Sequence, residues 1–496
     1  DLVDDATVQR RREEIRARLA GTAMADASIV PCSAATGAGV ADVAAALDAL
    51  VAAAPAPETD GRPRLFVDRV FTIRGAGTVV TGTLTGGPLR VDDRVELYPS
   101  GTQARVRGLQ RHERPLQEAW PVSRVAVNLG GLTTRDALRG DVLGMPGQWR
   151  PTRVLDAEVR PVRGLSHPLT ARGSHKLHAG AAERDARLRL LEVDAIRPGE
   201  RALVRVTLGR QLALDVGEPF VLREAGRRET VAGGIVLDPD PRGSPADPER
   251  LRRRAAAARS ELPGLLVAER GAIRATEVGP LTGAFGDAAG AERAGPWLVA
   301  PEVLEALAAA AHGLLAEHHA ARPLLPGLEL DAVRRALAER VPAVAPALEQ
   351  SLAGALVERL AADGRLARDG TNVRLPGHRV SLGEREPEAR RLEEALRSGW
   401  PTPPTARELG VDRELAAALV ATGRVVAAGD DVLLLPERWA EAVRVARELA
   451  ARPEGMTAGA FRVALGTSRK YAIPLLERLD AEGVTRRDGD VRRAVG

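Results

Sequence analysis

The sequence predicts a multidomain chain: a short α/β fragment, two β-barrels in succession, then tandem winged-helix modules of α+β type. Three observations predict it. Residues 64–240 break into short β-type runs separated by Gly, Pro and Asp turns, with no helical pattern between them, which is how small closed barrels read. Past the proline-rich stretch at 238–249 the chain becomes alanine-rich and helically periodic. Within that half, LVERLAADGRLARDG (Leu356 to Gly370) recurs as LLERLDAEGVTRRDG (Leu475 to Gly489), 119 residues later.

In chain order, VQRRREEIRARLA at 8–20 and DVAAALDALVAAA at 42–54 have helical spacing, and the apolar run SIVPCSA between them, Ser28 to Ala34, reads as a strand. Helix, strand, loop and helix is the rhythm of a parallel α/β sheet, although one strand cannot make a sheet. This fragment spans 1–58, and APAPETDGRP at 54–63 closes it. LFVDRVFTI, TVVTGTL, DRVELYP, ARVRGLQ and RVAVNLGG then supply a first barrel over 64–150. VLDAEVRPV, HKLHAG, ARLRLLEV, RALVRVTL, PFVLRE and GGIVLDP supply a second over 151–240.

In the last half each unit ends a helix at glycine, runs a short strand, turns at a second glycine and runs another strand, as in GTNVRLP, GDDVLLLP and GDVRR. The period is about 60 residues, and a helical unit closed by a two-stranded ribbon is a winged helix. With GPWLVAP at 295–301 as the tail of a fourth copy, the expected modules are 246–312, 313–382, 383–436 and 437–496.

A chain of 496 residues is too long for one core. No apolar run approaches the ~20 residues a membrane-spanning helix needs, so no membrane association is expected. A single cysteine, Cys32, excludes an internal disulfide and a cysteine-based zinc cluster and fits a reducing, cytoplasmic setting. Net charge is only +4, so the position of each charge matters more than the sum. Lysines are confined to Lys176 and Lys470.

RGAGTVVTGT, Arg74 to Thr83, has the glycines and hydroxyls of a phosphate cradle, but it carries no lysine and opens no helix. It reads instead as a tight turn between barrel strands, where positive φ or close backbone approach excludes a Cβ. Neither lysine stands in a phosphate-loop setting, so nucleotide hydrolysis is not expected of this chain. His175 with His178, and His318 with His319, are spaced to face apart on a strand and a helix, so no metal site is assigned. No catalytic constellation is assigned either, and the tryptophans read as core residues.

The last module differs from the others. In LGTSRKYAIPLLERLD, Arg469, Lys470 and Tyr471 occupy the first turn of a helix, and the ribbon TRRDGDVRR adds Arg486, Arg487, Arg492 and Arg493. Two cations and an aromatic ring at a helix start can pair phosphates and stack on an unpaired base. Pro474 lies inside that helix and is expected to kink it. A multi-winged-helix DNA-binding regulator is an alternative reading of these modules.

FVDRVFTIRGAGTVVTGTLTGGPLRVDDRVEL, Phe66 to Leu97, resembles the second domain of translational GTPases related to elongation factor Tu. Two such barrels followed by winged helices that end in LGTSRKYAIPLLERLD and TRRDGDVR resemble the bacterial selenocysteine-specific elongation factors, SelB. The resemblance spans essentially the whole chain and makes the opening fragment the end of a GTPase domain. It implies GTP, with Mg in the full-length family, and places Asp1, Ser33 and Ala34 against the guanine base. It implies selenocysteyl-tRNA, an mRNA hairpin and the ribosome as partners, with the protein acting as a monomer. Asp68, Arg69 and Arg124 would line the pocket for the charged amino acid, and Arg469, Lys470, Tyr471, Arg486, Arg487 and Arg492 would contact RNA. A surface ion pair between Asp68 and Arg69, and a general elongation factor for ordinary aminoacyl-tRNA, are the competing readings.

Overall fold

The computed structural model describes residues 2–495 except 57, 58, 60, 76, 243–246, 287, 341–349 and 430. The chain divides into two compact units, Asp1–Ala246 and Asp247–Gly496.

The first unit opens with helices Asp5–Leu19 and Val40–Ala53. The Asp4 carboxylate caps the first by accepting the Thr7 N–H at 2.8 Å. Neither helix buries a residue. The run Ser28 to Ala34, expected as a strand, forms none: it has no regular structure as far as Ser33 and enters a turn at Ala34. Among the described residues of this fragment there is no neighbouring strand, and a lone strand has no ladder to satisfy its backbone. The opening fragment is therefore a short α region without a sheet.

Both barrels form. The first is the ring Arg94–Tyr98, Val142–Gly144, Arg64–Ile73, Gly77–Thr85, Ser123–Gly130 and Thr102–Arg111, closed by pairing of the last with Arg94–Tyr98. Leu65, Val67, Val80, Leu84, Val95, Leu97, Val106 and Val127 fill it. The ring of the second is Pro151–Pro161, Ala202–Ala213, Ala182–Leu190, His175–Ala179, Pro219–Glu224 and Thr230–Asp238. Inward Val, Leu and Ala alternate with outward polar residues on these strands, the period-two pattern that a barrel wall requires.

A charged seam joins the barrels. Arg62 pairs with Asp215 at 3.3 Å, Arg64 pairs with Glu218, and Arg64 Nη2 donates to the Ala213 carbonyl at 3.0 Å. Both guanidinium groups stack on Trp149. Trp149 and Trp297 are buried as expected, whereas Trp120 is half exposed.

The second unit carries the repeated helix-plus-ribbon pattern. Ribbons form at 292–299, 367–374, 426–434 and 485–494. In the second and fourth copies the ribbon follows the helices Gln350–Ala362 and Arg469–Ala481. In the first copy, helix Ala275–Thr282 leads into the ribbon with no further helix among the described residues. The boundary expected between 312 and 313 falls inside the continuous helix Pro301–Ala321. Helix Arg469–Ala481 also runs unbroken through Pro474.

Candidate nucleic-acid interface

The turn in RGAGTVVTGT is a hairpin between antiparallel strands, with Ile73 opposite Gly77. Gly75 and Gly77 have φ of +85° and +94°. Gly82 answers a different need, because a Cβ there would lie 2.0 Å from the Phe66 carbonyl oxygen. That close approach sits beside a β-bulge: Val67 faces Gly82 and Arg69 faces Thr81, so Asp68 is the extra residue between them. A bulge re-aims a side chain out of the regular alternation. Here Val67 stays in the core, Asp68 lies half-buried and Arg69 is exposed.

Asp68 is thereby presented to Arg124, which lies two strands away across Thr83. Arg124 Nε donates to Asp68 Oδ2 at 3.0 Å and Nη2 donates to Oδ1 at 3.1 Å, a fork-to-fork pair. The Thr81 hydroxyl donates to Asp68 Oδ1 at 2.5 Å and receives a longer contact from Arg124 Nη2 at 3.4 Å. The bond from Arg124, then those from Thr81, hold the Asp68 carboxyl below its ordinary pKa, aided by the charges of Arg124 and Arg69. Arg124 in turn is raised by Asp68. At neutral pH the cluster is carboxylate and guanidinium, with Arg124 more than half exposed and its Nη1 making no hydrogen bond among the described residues. The Asp68–Arg69 ion pair that adjacency allowed does not form; the partner of Asp68 is Arg124. Neither Arg124 as partner nor Thr81 as brace could be read from local spacing, because they lie 56 and 13 residues away.

In the last module Arg469, Arg486 and Arg487 are exposed. Arg469 and Arg486 make no hydrogen bond or ion pair among the described residues, and Arg487 reaches only the Gly489 carbonyl at 3.1 Å. Arg486 is opposite Arg493 in the ribbon register, and Arg493 is turned to Asp488 at 3.7 Å and to the Pro453 carbonyl at 3.3 Å. Three other expected contacts are placed differently. Tyr471 is only 7% exposed and belongs to the core with Phe461, Leu475 and Leu479, so its ring offers no face for a base. Arg492 is 7% exposed and donates to Asp480 Oδ2 at 2.7 Å, while Thr485 donates to Oδ1 of the same carboxylate at 2.6 Å. It braces the ribbon against the helix. Lys470 is exposed but pairs with Glu408 of the preceding module at 2.9 Å. The Thr405 N–H, then Lys470, pull the Glu408 carboxyl down to about 2.

At the other end of the chain, Asp1 lies outside the described residues. The Ser33 amide donates to Ala38 O at 2.8 Å, and its hydroxyl accepts from the Thr36 N–H at 3.2 Å. Ala34 is exposed. The Ser33 amide is thus committed within its own loop, while its hydroxyl accepts there and keeps a proton to donate. With Asp1 outside the described residues, Ser33 and Ala34 do not by themselves make a nucleotide site.

His175 and His178 separate as their spacing requires, whereas the His318 and His319 rings stay in edge contact with centroids 6.0 Å apart. His175 is buried while His178 is not. His319 stacks on His378, ring centroids 3.5 Å apart and 2° from parallel, and accepts the Leu375 N–H on Nε2 at 3.2 Å. Burial, then the neighbouring His378, His318 and Arg374, push His319 down to about 4. Among the described residues no group of three or more His, Cys, Asp or Glu could hold a metal ion.

Family-wide sequence models match four stretches of the chain. Residues 77–144 match elongation factor Tu domain 2, and 159–243 match the selenocysteine-specific elongation factor β-barrel domain. Residues 313–375 and 447–494 match elongation factor SelB winged helices. Over 99% of this chain and 81% of the relative, the sequence is 32% identical to the selenocysteine-specific elongation factor of Desulfomicrobium baculatum. The chain belongs to the selenocysteine-specific elongation factor family.

The Escherichia coli selenocysteine-specific elongation factor is 28% identical over 86% of this chain and 69% of its own length. Elongation factor Tu 2 of Streptomyces avermitilis is 34% identical, but over 39% of this chain and 50% of its own length. Similarity to a general elongation factor is therefore partial, whereas similarity within the selenocysteine-specific family runs almost end to end. The crystal structure of a bacterial selenocysteine-specific elongation factor shares the fold, with a TM-score of 0.71 over 99% of this chain and 79% of that one at 21% identity.

Proposed function

We propose that this member of the family holds selenocysteyl-tRNA through its first barrel and an mRNA hairpin through its last winged helix, for delivery to a ribosome at a recoded UGA codon. The observation that carries the reading is Arg124. Its guanidinium is oriented by Asp68 on one edge and keeps Nη1 free on the other among the described residues, at an exposed position. A selenol ionises near neutral pH while a serine hydroxyl does not. A fixed arginine attracts the selenolate and gains little from the hydroxyl, the more so as the pocket loses water. Arg69 adds positive charge beside the same carboxylate.

The RNA-binding residues in this reading are Arg469, Arg486 and Arg487. Lys470 joins them on leaving Glu408, while Tyr471 and Arg492 support the module from within. The modules at 246–312, 313–382 and 383–436 act mainly as a spacer between the tRNA and the messenger, with 437–496 as the hairpin-binding module. GTP, with Mg, is the nucleotide of the family in this reading. The ribosome is the remaining partner, the setting is cytoplasmic, and the chain works as a monomer.

Two binding assays test this. The chain should prefer a hairpin RNA with an unpaired loop base over duplex DNA, and the reverse preference would favour a DNA-binding regulator. Arg124→Ala should abolish discrimination between selenocysteyl- and seryl-tRNA while leaving hairpin binding unchanged. Discrimination that survives Arg124→Ala would refute the pocket.

A further inference from the structure

We infer that Thr81 is a specificity-determining positioning residue: its hydroxyl fixes the Asp68 carboxylate so that Arg124 presents one free N–H edge to an anionic side chain. This rests on the reading of Arg124 given above and adds a residue to it. Asp68 stands on a bulge, outside the regular ladder, so its backbone does not dictate where its carboxylate points. Thr81 supplies that direction. It lies in the central strand of the cluster, opposite Arg69 on one side and Ala126 on the other, and is only 9% exposed. Its single hydroxyl proton is directed to Asp68 Oδ1 at 2.5 Å. The lone pairs left on the same oxygen face Arg124 Nη2 at 3.4 Å, so one hydroxyl touches both members of the pair.

The consequence is a division of labour on the guanidinium. Asp68 occupies Nε and Nη2, while Nη1 makes no hydrogen bond among the described residues. With the Thr81 proton removed, Oδ1 loses its shortest bond and the carboxylate is held by Arg124 alone, so the two side chains can swing together as a pair. Arg124 then samples several directions instead of one, and an anion must pay the ordering entropy on binding. A β-branched residue is also what this strand position favours, so Thr81→Val keeps shape and backbone preference and removes only the hydroxyl.

The test measures the ratio of affinities of the chain for selenocysteyl-tRNA and seryl-tRNA. Thr81→Val is expected to lower that ratio about tenfold, the effect of one hydrogen bond to a charged group, and Thr81→Ser to restore it. Asp68→Asn should lower the ratio as well, and the Thr81→Val/Asp68→Asn double variant no further, because both act through one carboxylate. Hairpin RNA affinity, which belongs to the other unit, should stay constant throughout. An unchanged ratio in Thr81→Val while Arg124→Ala loses discrimination overturns this inference and leaves the pocket standing. Equal loss in Thr81→Val and Thr81→Ser also overturns it, since side-chain shape and not the hydroxyl would then be responsible. Should Thr81→Val fail to fold, the Thr81→Ser and Asp68→Asn variants decide: a ratio unchanged in Asp68→Asn overturns the inference. No discrimination in the unaltered chain, or its survival in Arg124→Ala, overturns the pocket and this inference with it.

Discussion

The first and second pairs of winged helices dock in the same way and differ in what they expose. In the first pair Arg359, on helix Gln350–Ala362, donates to the Arg293 carbonyl in the preceding ribbon at 2.7 Å and pairs with Asp363 one turn on. In the second pair Arg478, the residue 119 positions later, donates to the Ala427 carbonyl of its preceding ribbon and pairs with Glu482 one turn on. The ribbon turns match too: a Cβ on Gly295 would touch Ala355, and one on Gly429 would touch Pro474, again 119 apart. One ribbon thus covers one helix twice over, and the buried face of the repeat is held constant. The exposed face diverges. Where the second pair has Arg469, Lys470 and Arg486, the first has Gln350, Ser351 and Ala367. The repeat therefore separates a constant docking face from a variable exposed face, the one proposed to meet nucleic acid.

Exchanging residues between the pairs tests that separation. The largest effect is expected at positions 352 and 471, both buried. Tyr471→Ala should destabilise the unit by about 3–5 kcal/mol and Leu352→Ala by about 2–5 kcal/mol, read from denaturant unfolding. Tyr471→Leu, which installs the residue of the first pair, should leave hairpin affinity unaltered; a large loss would return the ring to the interface.

Arg492→Val removes one partner of a mostly buried pair and should cost about 2–4 kcal/mol of stability. Unaltered stability with weakened RNA binding would make Arg492 a contact and not a brace. Arg469→Gln should weaken hairpin binding by about 1–3 kcal/mol with stability unchanged. Arg368→Ala, at the position in the first pair equivalent to Arg487, should leave hairpin binding alone. Equal losses from both would erase the distinction between the pairs.

The smallest effect concerns the stack that the first pair has and the second lacks. His319 is held neutral, near 4 against an ordinary value of 6.5. Its contribution is therefore fully present above about pH 6.5 and is lost as pH falls toward 4, where the unfolded chain binds a proton that the folded chain refuses. Roughly 1–2 kcal/mol should be gone by pH 5. His319→Phe should flatten that part of the pH profile, and an unflattened profile would assign the acid sensitivity elsewhere.

The barrels were legible as short β-type runs between turn residues; alternation is clear on Ser123–Gly130 and Ala182–Leu190, whereas Gly77–Thr85 is buried continuously from Thr78 to Gly82. Val142–Gly144, three residues that complete the first barrel, are too short to show any period. The repeat was legible as glycine spacing, although the first copy replaces its last helix with the segment after Ala275–Thr282, where small residues and glycine leave no helical stripe. The expected strand at Ser28 to Ala34 failed for the opposite reason: its local pattern was adequate, but no strand pairs with it among the described residues.

Of the expected RNA contacts, charge and helix position identified Arg469, Arg486 and Arg487 as exposed cations. They could not show that Tyr471 and Arg492 turn inward, because a first-turn helix residue, like a ribbon residue, can face either way until a partner element is packed against it. Local order along the chain determined the strands, the helix repeat and the absence of a phosphate loop in RGAGTVVTGT, since those depend on residues a few positions apart. Tertiary structure decided that Asp68 meets Arg124 and Thr81, that Lys470 meets Glu408, and that His319 meets His378. Each of those pairings joins residues 13 to 62 positions apart, and only the closing of a barrel or the docking of a module brings such groups within hydrogen-bonding or stacking distance.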